Sequence, residues 1–384
     1  MRAILQLISL STSLVSSSLP AFPSQLQSGT VLKPIAVARS LIFGLKSTAS
    51  RVDFFSTVEH EQAESPLIGS SEDVLFFTDR PIKFDSNGQV LKFLPGELNN
   101  AVTLGQISVN NAKVLPYGIA APDELNEHIQ NNIVTTMQVN ETYKDLESFL
   151  DKIDIAIKQS TAQKVCIFIP GFSMTFDQSI ASAGALQKYS KIPVILYSWP
   201  SHDSPFVWSY FADQTLNERS LSLNGSKMMD AITNRFGADK IILVGFSQGA
   251  KLAVQYALER QNSAQGQNPD PFYAQVYSRA DLPRGDFQEN LQPILNNAKS
   301  TVLFVSTRDR LLLLSGHILH RRMLSASDRT GSATRHDFIV PAEFEESLHV
   351  IDDSISNNKI TNHTFNARGI ANWLEERRAR EINY

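Results

Sequence analysis

From residue 165 onward, short apolar runs alternate with helical segments in this 384-residue chain. The runs are "VCIFIP" (165–170), "PVILYSWP" (193–200), "KIILVG" (240–245) and "STVLFVST" (300–307). Each run has the length of one strand and is almost continuously apolar, as expected for a strand that is buried on both faces. Right-handed crossovers wind such strands into one sheet. The pattern therefore predicts an α/β fold, with a doubly wound, mostly parallel sheet and helices on both faces.

The predicted domain begins at "EDVLFFTDR", a strand-like run at residues 72–80. We assign residues 72–384 to the α/β domain and residues 22–71, which are rich in serine and interrupted by prolines, to a poorly ordered linker. Residues 1–21 resemble a signal peptide, because one positive charge precedes a modest apolar stretch and then small residues. The chain is therefore predicted to be secreted or periplasmic. A cytoplasmic or organellar location is the alternative, since an acid-free leader also suits a transit peptide.

Composition argues against two classes of function. The net charge is −4 with both signs interspersed, whereas a nucleic-acid binder needs a basic surface to displace counterions from phosphates. The apolar stretch near the amino terminus is too short and too polar to span a bilayer stably. We therefore expect neither a nucleic-acid partner nor a transmembrane span. The oligomeric state is not predicted.

The sequence contains no Gly-rich phosphate loop, no H-E-x-x-H helix and no cysteine pair. His317 and His320 stand one helical turn apart, but without clustered acidic or cysteine ligands they are interpreted as surface or packing residues. The single cysteine, Cys166, lies inside an apolar run and is interpreted as a buried, inert thiol. We predict that the protein uses no metal and no cofactor.

The stretch "IILVGFSQGAKLAV" (241–254) contains a candidate nucleophile, Ser247. Gly-x-Ser-x-Gly is a weak signal alone, but here it joins a buried strand to a helix, where a sharp turn lifts the serine above the sheet edge. Gly245 and Gly249 lack the β-carbons that would crowd this turn. The N–H of Gln248, at the start of the helix, would point toward an oxyanion. The alternative is a tight strand-to-helix junction with a capping serine.

A nucleophilic serine needs a base and a group that orients the base, and in this fold they follow in the order acid, then histidine. His363 is the predicted base, because it lies in a loop before the amphipathic C-terminal helix; His336 and His349 are the reserves. Asp309 is the predicted acid, because it comes directly after the strand in "VLFVSTRDR". Asp281 is the runner-up. The alternative role for Asp309 is a helix cap or an ion pair with a neighbouring arginine.

These residues belong to a series of motifs that resembles a bacterial family of alpha/beta hydrolases of unknown function, often labelled esterase/lipase superfamily enzymes. The resemblance runs from about Asp73 to the carboxyl end. The motifs, in order, are "VLFFTDR", "IFIPGFSMTFDQSI", "ILYSWPS" with "YFAD" downstream, "LVGFSQGAKL", "ADLPRGDF", "VLFVSTRDRLLLLS", "DRTG", "VIDDS" and "NHTF".

The resemblance implies a triad of Ser247, Asp309 and His363. Proline replaces histidine in the family's His-Gly oxyanion segment, which corresponds here to Pro170-Gly171. We expect the N–H of Phe172 to serve as the second oxyanion donor, beside that of Gln248, because the peptide rather than the histidine side chain makes the contact. Gln248 stands where such proteins commonly carry methionine.

The predicted function is that of a serine hydrolase acting on a small-molecule carboxylic ester or acyl substrate through an acyl-enzyme intermediate. Aromatic residues in the 201–214 segment either line an acyl pocket or cover the sheet edge. They are Phe206, Trp208, Tyr210 and Phe211. The rival interpretation is a non-catalytic binding or scaffold protein that keeps the fold, because a fold does not determine a function.

Overall fold

The structure is a computed structural model. It describes residues 72–84, 86, 90–109, 137–202, 204, 207–263, 269–316, 328–354 and 363–382. The chain divides into two units, Met1–Pro66 and Leu67–Tyr384, and every described residue belongs to the second. The predicted signal peptide (1–21) and linker (22–71) lie outside the described residues.

Eleven strands are assigned within the described residues, and nine of them form one sheet in the order β11-β10-β9-β8-β6-β7-β1-β4-β5. The strands are β1 (Glu72–Thr78), β2 (Ile82–Phe84), β3 (Val90–Phe93), β4 (Thr103–Val109), β5 (Met137–Tyr143), β6 (Val165–Ile169), β7 (Val194–Ser198), β8 (Ile241–Phe246), β9 (Ala274–Ser278), β10 (Thr301–Val305) and β11 (Leu348–Asp352). Strands β2 and β3 pair separately as a small antiparallel ribbon.

The large sheet is parallel from β11 to β1 and antiparallel only at its far edge, where β4 pairs with β1 and β5 pairs with β4. The apolar runs identified in the sequence become β6, β7, β8 and β10, and all four strands are fully buried. This arrangement confirms the predicted mostly parallel sheet.

The described helices flank the sheet strands in sequence. They are α1 (Leu146–Gln159), α2 (Phe176–Ser190), α3 (Val207–Ser220), α4 (Ser226–Phe236), α5 (Gln248–Ser263), α6 (Arg284–Glu289), α7 (Leu291–Asn296), α8 (Arg310–Leu314) and α9 (Ala367–Ile382). A π-helical turn, Leu221–Gly225, joins α3 to α4. Short 3₁₀ turns occur at Ala238–Lys240, Thr330–Ser332, Arg335–Asp337 and Ala342–Phe344. None of the described helices has both the length and the apolar composition of a membrane span.

Side chains alternate between the two faces of each strand, so the sheet has an apolar core on either side. On one side, Leu243 of β8 packs in a cluster with residues of α1, α4, α5 and α7, including Phe149 and Leu252. On the other side, Val244 packs with residues of α2 and α9, including Ile180 and Ile370. Each large side chain so buried contributes roughly 1.5–3 kcal/mol. Helices therefore cover both faces, as the apolar runs predict.

The order of the strands reverses at β6. Strand β7, the next in the chain, lies on one side of β6, and β8 lies on the other. In open α/β sheets, a crevice forms beyond the carboxyl ends of the strands at such a reversal, and ligands bind there. The segments that follow β6 and β8 border this crevice, and they contain Phe172 and Ser247.

Candidate active site

Ser247 occupies a strained turn between β8 and α5, with a φ of 54°. A non-glycine residue in this left-handed region costs about 1–3 kcal/mol, so the surrounding structure must hold it there. The neighbouring glycines make the turn fit. A β-carbon on Gly245 would lie 2.5 Å from Ala250 Cα, and one on Gly249 would overlap the carbonyl oxygens of Ile169 and Pro170. The turn therefore needs glycine on both sides of Ser247.

The structure brings Ser247, His363 and Asp309 together, although they follow three different strands. His363 Nε2 lies 2.9 Å from Ser247 Oγ, and His363 Nδ1 lies 2.7 Å from Asp309 Oδ2. An ionised carboxylate can only accept, so Nδ1 carries the ring hydrogen and Nε2 accepts from the serine hydroxyl. All three residues are buried, at 5% exposed or less. This arrangement is the one that activates a serine in Ser-His-Asp hydrolases.

Asp309 has two structural functions, one on each carboxylate oxygen. Oδ1 accepts from the backbone N–H groups of Leu311 and Leu312, so Asp309 caps α8, while Oδ2 faces His363. The helix cap and the contact with histidine, which the sequence left as alternatives, therefore coexist. The cap fixes the orientation of the carboxylate, and with it the position of the imidazole.

The loop that carries His363 is held by aromatic packing and by a buried polar chain. The His363 ring packs on Phe246 at a centroid distance of 5.1 Å, and Phe365 packs on Phe168 at 4.6 Å. Asn366 Nδ2 donates to Asp353 Oδ2 at 3.1 Å, and Asp353 is paired with the buried Arg279. The C-terminal helix α9 begins immediately after this loop and packs on α2. These contacts place His363 beside Ser247.

Asp281, the alternative acid, lies in a different network. Its carboxylate accepts from the hydroxyls of Tyr210 and Ser315, both at 2.7 Å, and its Oδ1 lies 3.3 Å from Arg329 Nε. All these groups are buried. Its backbone N–H donates to the carbonyl of Ser247 at 3.1 Å, so Asp281 supports the turn that carries Ser247.

The other candidate histidines lie away from this constellation or outside the described residues. His336 is exposed in a 3₁₀ turn. His349 lies near the amino end of the edge strand β11 and packs against Trp373 at 5.9 Å. Burial, Arg380 and Arg377 lower the pKa of His349. His317 and His320 lie outside the described residues, and within the described part no cluster of three or more His, Cys, Asp or Glu is arranged to hold a metal.

Residues 170–175, which we call the 170–175 turn, follow β6 and lie against Ser247. A β-carbon on Gly171 would come within 2.9 Å of Ser247 Cβ. The carbonyl of Pro170 accepts from Trp199 Nε1 at 2.8 Å, and Ser173 has a left-handed φ of 56°. The turn ends in a capping box in which Thr175 and Gln178 bond reciprocally at the start of α2. Phe172, the predicted oxyanion donor, thus lies next to Gly171, which abuts Ser247.

Helix α3 presents a buried polar face to this edge of the sheet. Its buried residues Tyr210, Asp213, Asn217 and Ser220 are spaced three or four apart, so they share one face. Their partners lie in four different segments: Tyr210 donates to Asp281 (2.7 Å), Asp213 accepts from Ser201 (2.5 Å), Asn217 donates to Gln248 (3.0 Å) and Ser220 donates to Asp79 (2.6 Å). The helix therefore ties together the segments that follow β1, β7, β8 and β9.

The aromatic residues proposed for the acyl pocket differ in where the structure places them. The Tyr210 ring packs edge-on against Phe172 at 5.3 Å, with its hydroxyl held by Asp281. Phe211 is 45% exposed. Phe206 and the side chain of Trp208 lie outside what the structure describes. Tyr210 therefore borders the 170–175 turn, and the pocket itself stays a prediction.

No role is predicted from the sequence for Arg80, Ser201 or Asp213, although all three occur in the quoted motifs. Arg80 and Ser201 follow β1 and β7 at the carboxyl edge of the sheet, and both are buried. Polar residues directly after buried parallel strands are the signal that could have found them. Cys166, in contrast, is buried in β6 as predicted, and burial raises the pKa of its thiol.

A doubly wound sheet with a serine on a strained strand-to-helix turn defines the alpha/beta-hydrolase fold. The family model described as "Alpha/beta hydrolase of unknown function (DUF900)" matches residues 146–340, and the chain belongs to this family. Ser247 and Asp309 lie within the matched range, and His363 follows it.

The comparison with curated proteins gives no match. Solved structures that are similar include an arylesterase, with 10% identity, 96% of this chain and 97% of that chain covered, and a TM-score of 0.32. A hyperthermophilic esterase from the archaeon Pyrobaculum calidifontis has 12% identity, coverage of 93% and 99%, and a TM-score of 0.31. A lipase-esterase related protein from Clostridium acetobutylicum has 12% identity, coverage of 56% and 96%, and a TM-score of 0.31. These likenesses are distant, and the family assignment rests on the family model.

Proposed function

We propose that this protein is a serine hydrolase that cleaves small carboxylic esters through an acyl-enzyme intermediate. The observation that carries the proposal is the hydrogen-bonded chain from Ser247 through His363 to Asp309, with contacts of 2.9 and 2.7 Å. The strained φ of Ser247 adds to it, because strain of this kind persists at positions that function requires.

In this mechanism, Ser247 Oγ attacks the acyl carbon while His363 Nε2 takes the hydroxyl proton. The tetrahedral intermediate collapses as His363 returns that proton to the departing alkoxide, which leaves as an alcohol. Water then attacks the acyl-enzyme by the same route, releasing the acid and restoring Ser247. Asp309 holds the imidazole in the productive tautomer and stabilises the imidazolium that forms in each half of the reaction.

We assign the developing oxyanion to the backbone N–H groups of Gln248 and Phe172. Gln248 is the first residue of α5, so its N–H has no acceptor within the helix and lies at the positive end of the helix dipole. Phe172 follows Gly171, which abuts Ser247. Proline at position 170 does not remove either donor, since both are peptide groups of other residues. One such donor contributes about 10²–10³-fold to turnover.

A non-catalytic binding protein remains the competing function, and the geometry favours the enzyme over it. A scaffold has no need of a serine in a strained conformation, nor of a buried histidine aligned between a hydroxyl and a carboxylate. The acyl pocket bordered by Tyr210 and the export of the chain through residues 1–21 stay predictions.

The proposal is tested with a series of p-nitrophenyl esters of increasing acyl chain length, in the presence and absence of EDTA. We expect turnover that survives chelation, shows a preferred chain length, and is lost in Ser247→Ala. Equal turnover by Ser247→Ala would overturn the proposal. Loss of turnover with EDTA and its rescue by zinc would instead indicate metal chemistry.

A further inference from the structure

The 170–175 turn contains a conformation that its own sequence does not favour. Ser173 has a φ of 56° without being glycine, and it directly follows Phe172. A left-handed serine costs about 1–3 kcal/mol, so contacts from outside must hold the turn. The Ser173 N–H shares a peptide unit with the Phe172 carbonyl, and this unit joins, at Phe172 Cα, the one that carries the Phe172 N–H. Contacts that hold the first unit therefore limit the directions in which the Phe172 N–H can point.

One contact comes from the segment after β7. Ser201 Oγ accepts the N–H of Ser173 at 2.7 Å and lies 2.5 Å from Asp213 Oδ2. A hydroxyl has one hydrogen. Because Ser201 accepts from the Ser173 amide, its own hydrogen is directed to the Asp213 carboxylate, which can only accept. Asp213 is in turn held by the backbone N–H and the ring of His202, at 3.0 and 2.5 Å.

A second contact comes from the segment after β1. Arg80 is fully buried, and its guanidinium donates to Met174 O at 3.0 Å, to Ser201 O at 3.2 Å and to Ser198 Oγ at 3.1 Å. One planar group therefore joins the 170–175 turn to the segment that carries Ser201. The rigid donor fork of arginine suits this bridging, and lysine would not reproduce it.

We propose that Arg80, Ser201 and Asp213 form a clamp that positions the 170–175 turn, so that the Phe172 N–H is aligned for the oxyanion before substrate binds. The predicted effect of the clamp on kcat rests on the proposed ester hydrolysis. Its predicted effect on the conformation of the turn rests on the hydrogen bonds alone. These three are positioning residues, which act through the turn. The clamp supports the turn without depending on the side chain at position 170.

The kinetic test uses Ser201→Ala, Asp213→Asn and the double variant, with Ser220→Ala as the matched control. Ser220 is equally buried and donates to a buried carboxylate, that of Asp79, but it does not contact the turn. We expect kcat to fall about 10- to 100-fold in both single variants with KM nearly unchanged, because the oxyanion forms only after binding. The double variant should be no slower than the worse single one, since both changes break one chain of bonds.

A second measurement does not need activity. Hydrogen–deuterium exchange of the peptide that covers the 170–175 turn should be faster by at least tenfold in Ser201→Ala and Asp213→Asn and unchanged in Ser220→Ala. Unchanged exchange in Ser201→Ala overturns the clamp, and so does a loss of kcat equal to that of Ser220→Ala. If the wild-type protein showed no ester turnover, but exchange were still faster in Ser201→Ala and Asp213→Asn than in the wild type, the clamp would be upheld and the proposed ester hydrolysis rejected. The two failures are therefore distinguishable.

Discussion

Asp309 links folding to the proposed chemistry at the scale of a single residue, because one oxygen caps α8 and the other faces His363. Asn is as good a helix cap as Asp. Asp309→Asn should therefore keep the stability of the fold and lower kcat by about 10⁴-fold, since the amide favours the wrong imidazole tautomer. Thermal unfolding and ester kinetics on the same preparation check both parts.

Asp281→Asn is the control for that variant, and it should lower the stability of the fold while leaving turnover nearly unchanged. Removing its charge leaves the buried Arg329 without its ion-pair partner, which costs about 3–5 kcal/mol of stability. Turnover by the folded fraction should change little. If Asp281→Asn lost turnover while Asp309→Asn kept it, the acid would follow β9 and our assignment would be wrong.

His363 tests the assignment of the base. His363→Ala should abolish ester turnover while unfolding stays cooperative, because Phe365 and Asn366 still hold the rest of the loop. In the wild-type protein, kcat/KM should fall on acidification, because a protonated imidazole cannot accept the serine's proton. Wild-type turnover by His363→Ala would direct the search to His336 or His349.

At the scale of elements, the strand-to-helix turn depends on glycine at position 249, where a β-carbon would overlap the Ile169 and Pro170 carbonyl oxygens. Gly249→Ala should destabilise the fold by roughly 1–3 kcal/mol. It should also lower kcat at least 100-fold, because it separates Ser247 from the 170–175 turn and a displacement of about 1 Å can cost that much. Urea unfolding and ester kinetics measure the two effects.

Gly285→Ala is the matched control for this variant. Gly285 lies in α6 with no atom within 4 Å of an added β-carbon. The substitution should stabilise the fold by about 0.5–1 kcal/mol through the entropy of the unfolded chain and leave kcat unchanged. Equal effects of the two substitutions would contradict the role given to position 249.

Elements were predictable from the sequence where burial dictates composition. Strands β6, β7, β8 and β10 are continuous apolar runs because both faces of each strand are covered. Strand β5, "MQVNETY", was not predicted, since among the described strands it pairs only with β4 and its sequence is largely polar. The polar face of α3 was also missed. Its partners lie up to 141 positions away, and no local pattern encodes such pairings.

At the scale of the whole molecule, the winding of the sheet gathers distant residues at one edge. Ser247 follows β8, Asp309 follows β10 and His363 follows β11, while the 170–175 turn follows β6. Because parallel strands all end at the same edge, residues 116 positions apart become neighbours. This geometry explains why the closeness of Ser247, Asp309 and His363 could be predicted from chain order and strand ends. The contacts of Arg80 and Asp213 could not, because they join segments that no local pattern relates.

The same edge buries charge, and this should be visible in the pH dependence of stability. Burial raises the pKa of Asp79 above its ordinary value of 3.8, although Ser220 and Asn224 donate to it. The native state therefore binds this proton more readily than the unfolded state, so Asp79 penalises folding at neutral pH and the penalty fades on acidification toward 3.8. The difference in unfolding free energy, Asp79→Asn minus wild type, should decrease as the pH falls from 7 toward 4.

For Asp337, the difference in unfolding free energy between variant and wild type should change with pH in the opposite direction. Burial opposes ionisation, but hydrogen bonds from Thr334 and the charge of Arg284 outweigh it and lower the pKa of Asp337. Its contribution to stability is complete above 3.8 and is lost as the pH falls below that value. Asp337→Asn should therefore be less stable than wild type at pH 7, with a gap that closes below pH 4. Urea unfolding at successive pH values measures both variants, and slopes of the same sign would contradict the account.

Covalent labelling measures whether Ser247 is a nucleophile activated by His363 and Asp309. The full chain is incubated with a fluorophosphonate at neutral pH, and the intact mass and the modified peptide are then determined. We predict one phosphonyl group on Ser247 in the wild-type protein, much slower labelling of His363→Ala and none of Ser247→Ala. An unlabelled wild-type protein, or a label on another residue, would contradict it.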